Sequence, residues 1–367
     1  MEKPIYVTQP NLPPLEEFIP YLETIWQNKQ FTNNGPMHQE LEKKLCEFLG
    51  VEYISLFNNG TIALITAVQA LDIKGEVITT PYSFVATAHS LVLNGLKPVF
   101  VDIDPKTLNI DPRKIEEAIT PETQAIMPVH CYGNPCDTQA IADIAQKYNL
   151  KVIYDAAHAF GVEDDDGSVL RHGDLSVLSF HATKVFSTFE GGAIVCNSKE
   201  MKEKIDRLKN FGYIDETNIN IIGSNGKMSE VNAAFGLLQL EHMDTFLRGR
   251  MNADMFYRQE LKDITGISIV MPSGQKISNF SYFPILVESD FPLSRDELFN
   301  YLKKQNIFAR RYFYPIIPDF QAYLNVGEVC DVKNAREIAS KVLCLPMHAD
   351  LSSDILEYIV STIREIK

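Results

Sequence analysis

The sequence predicts an α/β protein, with a large unit built on a mainly parallel sheet followed by a smaller α+β unit. Three observations carry that expectation. Between about residues 50 and 200, short β-branched or apolar runs alternate with amphipathic helical stretches. That alternation marks strands buried on both faces by crossover helices. A long helical pattern over residues 229–246 closes the series, and beyond it helices and strands mix in a different order. The division is therefore placed at 246, giving units of 1–246 and 247–367.

The elements follow in chain order. Tyr53–Phe57 reads as a strand, and residues 61–71 as a helix with Ala, Ile and Leu at helical spacing. Residues 76–80 read as a strand and 83–94 as a helix, with further strands at 98–102, 125–130, 152–155 and 175–180. Residues 137–148 form an alanine-rich amphipathic helix. Ser229 suits the N-cap of the long helix, with Asn232 rather than Glu three residues on. The second unit shows helices near 252–263, 294–305 and 352–366, and strands near 267–270 and 280–287.

Composition narrows the function classes. The 367 residues are 45% hydrophobic and 22% charged, ordinary for a globular protein of two or three domains. A net charge of −14 argues against broad binding to nucleic acid or anionic membranes. It leaves room for a small anion held by local cations or a helix N-terminus. The apolar runs are short, and the opening segment lacks the apolar core of a signal peptide, so a cytoplasmic location is expected. Six scattered cysteines and eight histidines show no metal-binding spacing, so free thiols and no metal are expected.

Three segments at the ends of predicted strands carry chemistry, where open α/β sheets place their ligands. The first is Phe57-Asn58-Asn59-Gly60-Thr61, strand into helix. Free N–H groups at a helix start, a glycine allowing close approach and a hydroxyl suit a phosphate; a tight turn with a polar cap would look the same. In the second, Asp155 ends an apolar strand, where a carboxylate is costly unless something positive meets it. A protonated pyridine nitrogen would do so, letting the ring act as an electron sink; helix capping is the plainer alternative. In the third, Ser179 leads through His181-Ala182-Thr183 to Lys184. A lysine after a sheet strand, in a partly dry cavity, loses basicity and becomes a Schiff-base nucleophile, and Ser179 could bond a phosphate. A single lysine usually lies on the surface, so the ordered set of turn, acid and lysine carries the argument.

That set resembles the fold-type-I pyridoxal-phosphate enzymes, and within them the sugar-nucleotide aminotransferases. The likeness covers nearly the whole chain, from Phe31-Thr32-Asn33-Asn34-Gly35-Pro36 through Pro81-Tyr82-Ser83-Phe84 and His130-Cys131-Tyr132-Gly133 to Asn225-Gly226-Lys227-Met228 and Leu345-Pro346-Met347-His348. The resemblance implies a seven-stranded sheet in the large domain, pyridoxal phosphate as cofactor, and a homodimer with shared active sites. It assigns Lys184 to the Schiff base and to proton transfer, and Asp155 to the pyridine nitrogen. Phe84 would stack on the ring, and His158 would lie near its hydroxyl edge. Gly60, Thr61 and Ser179 would hold the phosphate, and Asn225 would reach the phosphate bound by the partner subunit. Two departures stand out. Many relatives have Ser-Gly-Thr where this chain has Asn59-Gly60-Thr61, and many have His where Ile316 follows Tyr314-Pro315.

The opening residues 5–18 and Leu56-Phe57-Asn58-Asn59-Gly60-Thr61-Ile62 resemble the subgroup of that family acting on dTDP-4-keto-6-deoxyglucose. That sugar is the expected acceptor and L-glutamate the expected donor, with the product feeding surface polysaccharide such as O-antigen. Asn33, Asn34, Arg310 and Tyr314 are candidates for the nucleotide end, together with Arg311 and Tyr312. If 310–311 lie on a strand, only one of the two arginines can face inward. A 3-keto or UDP-linked 4-keto sugar is the alternative acceptor. Relatives that dehydrate sugars carry histidine in place of Lys184, and a non-catalytic regulator would not need both Asp155 and Lys184.

Overall fold

The central strands of the large sheet are short and buried along almost their whole length, so only helices on both faces can cover them. The computed structural model describes residues 3–366. Edge to edge, the sheet runs Glu328–Val329, Lys97–Phe100, Glu76–Thr79, Thr123–Met127, Lys151–Asp155, Leu175–Ser179, Gly192–Cys196 and Tyr53–Phe57. Only Gly192–Cys196 runs antiparallel to its neighbours. The expected seven strands are present, and the two-residue strand Glu328–Val329 from the second unit adds an eighth beside Lys97–Phe100.

Helices cover both faces. Pro36–Leu49 and the first half of Glu230–Leu261 bury Leu41, Leu45, Ala233 and Leu237 in one core cluster. Gly60–Ala70 and Lys199–Leu208 bury Ala63, Ala67, Ile205 and Leu208 in another. The smaller unit packs a three-stranded antiparallel sheet, Ile267–Ile269, Phe283–Val287 and Val342–Leu345, against its own helices. Its helix Arg295–Lys304 starts with a complete capping box between Ser294 and Glu297.

Two features cross the division at 246. The helix Glu230–Leu261 continues through it for 32 residues. Its core contacts change instead, from Met243 and Phe246 in the large unit to Ala253, Tyr257 and Leu261 in the small one. Near the N-terminus, Ile5–Tyr6 pairs in parallel with Ile307–Phe308, and Ile5 joins the core of the small unit.

Candidate active site

The C-terminal ends of the strands open onto a cavity of about 700 Å³. On its floor lie Asn58, Asn59, Gly60 and Thr61 from one strand end, Asp155 and His158 from a second, and Ser179 and Lys184 from a third. Phe84 lines it as well, and Tyr282, Tyr312 and Phe313 form a wall from the second unit. Lys184, Gly60, Thr61, Phe84, Asp155, His158 and Ser179 therefore meet in one place, as the sequence leads one to expect.

Lys184 sits on a loop that leaves the strand Leu175–Ser179 and returns at Gly191. The Phe180 N–H donates to the Gly191 carbonyl (2.8 Å) and the Thr188 N–H to the Phe180 carbonyl (2.9 Å), closing the neck. Phe180, Val185 and Phe186 fill the loop from inside. Gly191 is required there, because a Cβ would lie 2.0 Å from Thr188 Oγ1. So fixed, Lys184 is enclosed by the cavity wall. Burial lowers its pKa to about 8, against the opposing pull of Asp155.

Asp155 ends its strand almost fully buried. One oxygen accepts from Thr87 Oγ1 (2.7 Å) and the other from the Ala157 N–H (3.1 Å). Ser83 Oγ pairs with the Thr87 hydroxyl in turn (2.8 Å). Burial nonetheless holds the carboxyl above the usual range, opposed by these hydrogen bonds and by Lys184. A cation placed against it would restore the charged form.

The Asn59-Gly60-Thr61 turn leads from a strand directly into a helix, as the sequence implies. Asn59 caps the helix Gly60–Ala70, its side chain accepting from the Ile62 N–H (2.8 Å), and its carbonyl accepts from Ala63. The Gly60 and Thr61 amides lie in the first turn, where no intrahelical acceptor exists. A Cβ on Gly60 would sit 3.0 Å from Ser179 Cβ, so glycine lets Ser179 approach this turn closely, an arrangement suited to a small anion.

His158 is buried in a neutral form, its pKa driven well down by burial and by Lys184. Its Nδ1 accepts the Tyr132 N–H (3.2 Å), which puts the imidazole proton on Nε2. Phe84 stays 61% exposed although it lines the cavity, an uncovered aromatic face of the kind a bound ring would cover. An anion cradle, a buried acid, a donor imidazole and a lysine of lowered pKa together fit pyridoxal phosphate.

Of the remaining sequence candidates Tyr312 lines the cavity wall, and the others stand outside it. Asn33 and Asn34 are exposed in consecutive left-handed conformations (φ 64° and 58°). Asn225 is exposed beside the phosphate turn, its carbonyl accepting from Asn58 Nδ2 at 3.4 Å. Arg310 pairs through its backbone with Cys344 and carries an exposed side chain. Arg311 turns the other way, bonding Asp296 (2.8 Å). Tyr314 lies under the Arg295 and Arg311 guanidiniums, at 4.4 and 5.5 Å. Sequence reasoning missed Thr87 as the partner of Asp155, and Tyr282 and Phe313 as wall residues. Thr87 stood within reach of inference, one turn beyond Ser83 in the segment that carries Phe84.

A buried acid and a lysine of lowered pKa facing one cavity are what a pyridoxal-phosphate enzyme requires. The chain belongs to the DegT/DnrJ/EryC1/StrS aminotransferase family, whose profile matches residues 15–364. It is 97% identical over 367 residues, the whole of both chains, to the dTDP-4-amino-4,6-dideoxy-D-glucose transaminase of Shigella dysenteriae. To the transaminase of that name from Escherichia coli it is 54% identical over 358 residues, 97% of this chain and 96% of the relative. Among solved structures, DesI in the presence of its TDP-sugar product superposes with a TM-score of 0.95 at 30% identity, covering 99% of this chain and 93% of that one. Helicobacter pylori PseC, an aminotransferase of pseudaminic acid biosynthesis, gives 0.92 at 30% identity and covers 99% of both. Among the described residues no helix is long and apolar enough to cross a membrane, and no cluster of His, Cys, Asp or Glu could hold a metal ion.

Proposed function

We propose that the chain transfers the amino group of L-glutamate to dTDP-4-keto-6-deoxy-D-glucose, giving dTDP-4-amino-4,6-dideoxy-D-glucose. The observation that carries this reading is the 97% identity along the whole length of a transaminase named for that product. Relatives named for UDP-linked or GDP-linked amino sugars are only about a third identical, so those acceptors are not favoured.

Pyridoxal phosphate, when bound, supplies the carbonyl that takes up the amine and the ring that spreads the charge of a carbanion. The chain's own groups do the rest. Asp155, held in place by Thr87 and Ala157, would meet the ring nitrogen and keep a proton on it. Lys184, with its pKa near 8, is neutral often enough at physiological pH to take a proton from the α-carbon of the donor. It returns a proton to C4 of the sugar in the second half-reaction. Gly60, Thr61 and Ser179 would hold the phosphate and so fix the cofactor within reach of Lys184.

The functional unit in this reading is a homodimer, located in the cytoplasm, whose product supplies surface polysaccharide. Support comes from Asn225, which lies exposed beside the phosphate turn. Exposed Phe211, Tyr213, Ile219 and Ile222 belong to the same excursion of chain. Mixing Lys184→Ala with Asn225→Ala subunits should restore up to about a quarter of the activity, since one hybrid site regains both residues. Independent sites would leave the mixture no better than its parents. For the substrate, the enzyme is given pyridoxal phosphate, L-glutamate and either dTDP-4-keto-6-deoxyglucose or the 3-keto isomer, with products identified by mass and NMR. Amination at C4 with an equatorial amine supports the proposal. Amination of the 3-keto sugar instead would overturn the acceptor while leaving the site chemistry intact.

A further inference from the structure

Behind the aromatic wall lies a group of buried phenols that the reaction itself does not use. Tyr132, in the short turn Cys131–Gly133, adopts φ 56° and ψ 15°, a left-handed conformation disfavoured for an aromatic residue. Such a conformation persists where its surroundings over-determine it, and here they do. The Tyr132 N–H donates to His158 Nδ1. Its hydroxyl donates to the Tyr312 carbonyl and pairs with the Tyr82 hydroxyl at 2.6 Å. Tyr82 reaches the same carbonyl at 3.2 Å. The Tyr132 ring stacks on Phe313 (5.9 Å between centroids, 9° between planes), and Phe313 stacks on His158 (6.0 Å, 4°).

We propose that Tyr132 is a positioning residue that ties the substrate wall to the cofactor floor. Its hydroxyl, shared with Tyr82, fixes Tyr312 and Phe313 across the cavity. Its backbone N–H independently sets the tautomer of His158. Two anchors on one residue hold two sides of the cavity in register, and a preformed wall binds a substrate at less cost in ordering. The two anchors are separable, because removing the hydroxyl leaves the N–H in place. The inference deepens the sugar-aminotransferase reading and rests on it.

The test compares wild type, Tyr132→Phe, Tyr82→Phe and the double variant, each loaded with cofactor. Steady-state kinetics with the dTDP-4-keto sugar are paired with a pH titration of the visible absorbance of the bound cofactor. Tyr132→Phe should raise the KM for the sugar about tenfold, the scale of one lost buried hydrogen bond. Its kcat should stay within about twofold, and its absorbance midpoint should match wild type. The double variant should be no worse than Tyr132→Phe, because both hydroxyls act through one carbonyl. An unchanged KM, a loss confined to kcat, or losses that multiply in the double variant would overturn the proposal. If Tyr132→Phe does not fold, Tyr82→Phe carries the test with a rise in KM of the same sign. Turnover of the sugar by wild type in the same assay separates failure of this inference from failure of the substrate assignment.

Discussion

The floor and the wall of the cavity are built in opposite ways. The floor comes from three strand ends of one sheet, tied together through the intervening strand Gly192–Cys196, so that neighbouring strands lock Asp155 to Val177 and Gly192 to both Ser179 and Phe57. The wall comes from two loops of the smaller unit, around Tyr282 and Tyr312-Phe313, held by side-chain bonds across large sequence separations. Asn279 Nδ2 and Ser281 Oγ, for instance, both donate to the His158 carbonyl, at 2.8 and 2.7 Å. Cofactor chemistry needs atoms fixed against a ring of constant shape, which a sheet supplies. Loops such as those of the wall can vary without disturbing that frame.

If the floor alone carries the chemistry, substitutions there should cost far more than any on the wall. Lys184→Ala should lower turnover by at least about 10³-fold, the scale of a lost general acid–base group with its covalent role. Measured kcat within tenfold of wild type would break the comparison outright. Asp155→Asn keeps the shape and the Thr87 contact but removes the charge from the buried site. It should lower kcat about a hundredfold while cofactor remains bound, which absorbance and kcat together would show. An effect on cofactor affinity alone would reassign Asp155 to binding.

A dry interior also predicts how the protein responds to acid. His38, His130 and His348 have pKa values lowered by burial to about 4, 3 and 4, and His158 is well below its usual value. As the pH falls below about 6.5, the unfolded chain binds protons that the folded chain does not, so stability is lost. The slope approaches about 1.4 kcal/mol per pH unit for each such histidine. The melting temperature should therefore fall progressively between pH 6.5 and 4.5; a flat profile would mean that these histidines are hydrated. The smallest effect belongs to Phe84→Ala. Loss of one stacking face, worth about 0.5–1.5 kcal/mol, should weaken cofactor affinity about two- to tenfold in a fluorescence titration.

The same contrast explains what the sequence makes legible. Asp155, Lys184 and the Asn59-Gly60-Thr61 turn are readable because each follows a buried strand, and chain order then dictates their place. The wall is not readable. Phe313 meets His158 across 155 residues of chain, and no local pattern marks such a contact. Thr87 reaches Asp155 across 68 residues, and only its place one turn beyond Ser83 hints at that contact. The boundary placed at 246 lies on a helix whose core contacts pass from Phe246 to Ala253. It does not register that the helix carries on, because helix propensity continues where the core changes. The helix expected from residue 83 starts at Ala86, because Ser83 and Phe84 precede it as part of the cavity lining. Of the two adjacent arginines, Asp296 claims Arg311 and leaves Arg310 exposed; only the position of that acid in the fold decides between them.

The central claim is that the floor holds the cofactor through Lys184. The protein is loaded with pyridoxal phosphate, reduced with borohydride, digested, and the modified peptide identified by mass spectrometry. The account predicts one stoichiometric phosphopyridoxyl group on Lys184, with loss of the visible absorbance. Modification centred on another lysine such as Lys227, or no stable modification in fully loaded protein, would contradict it.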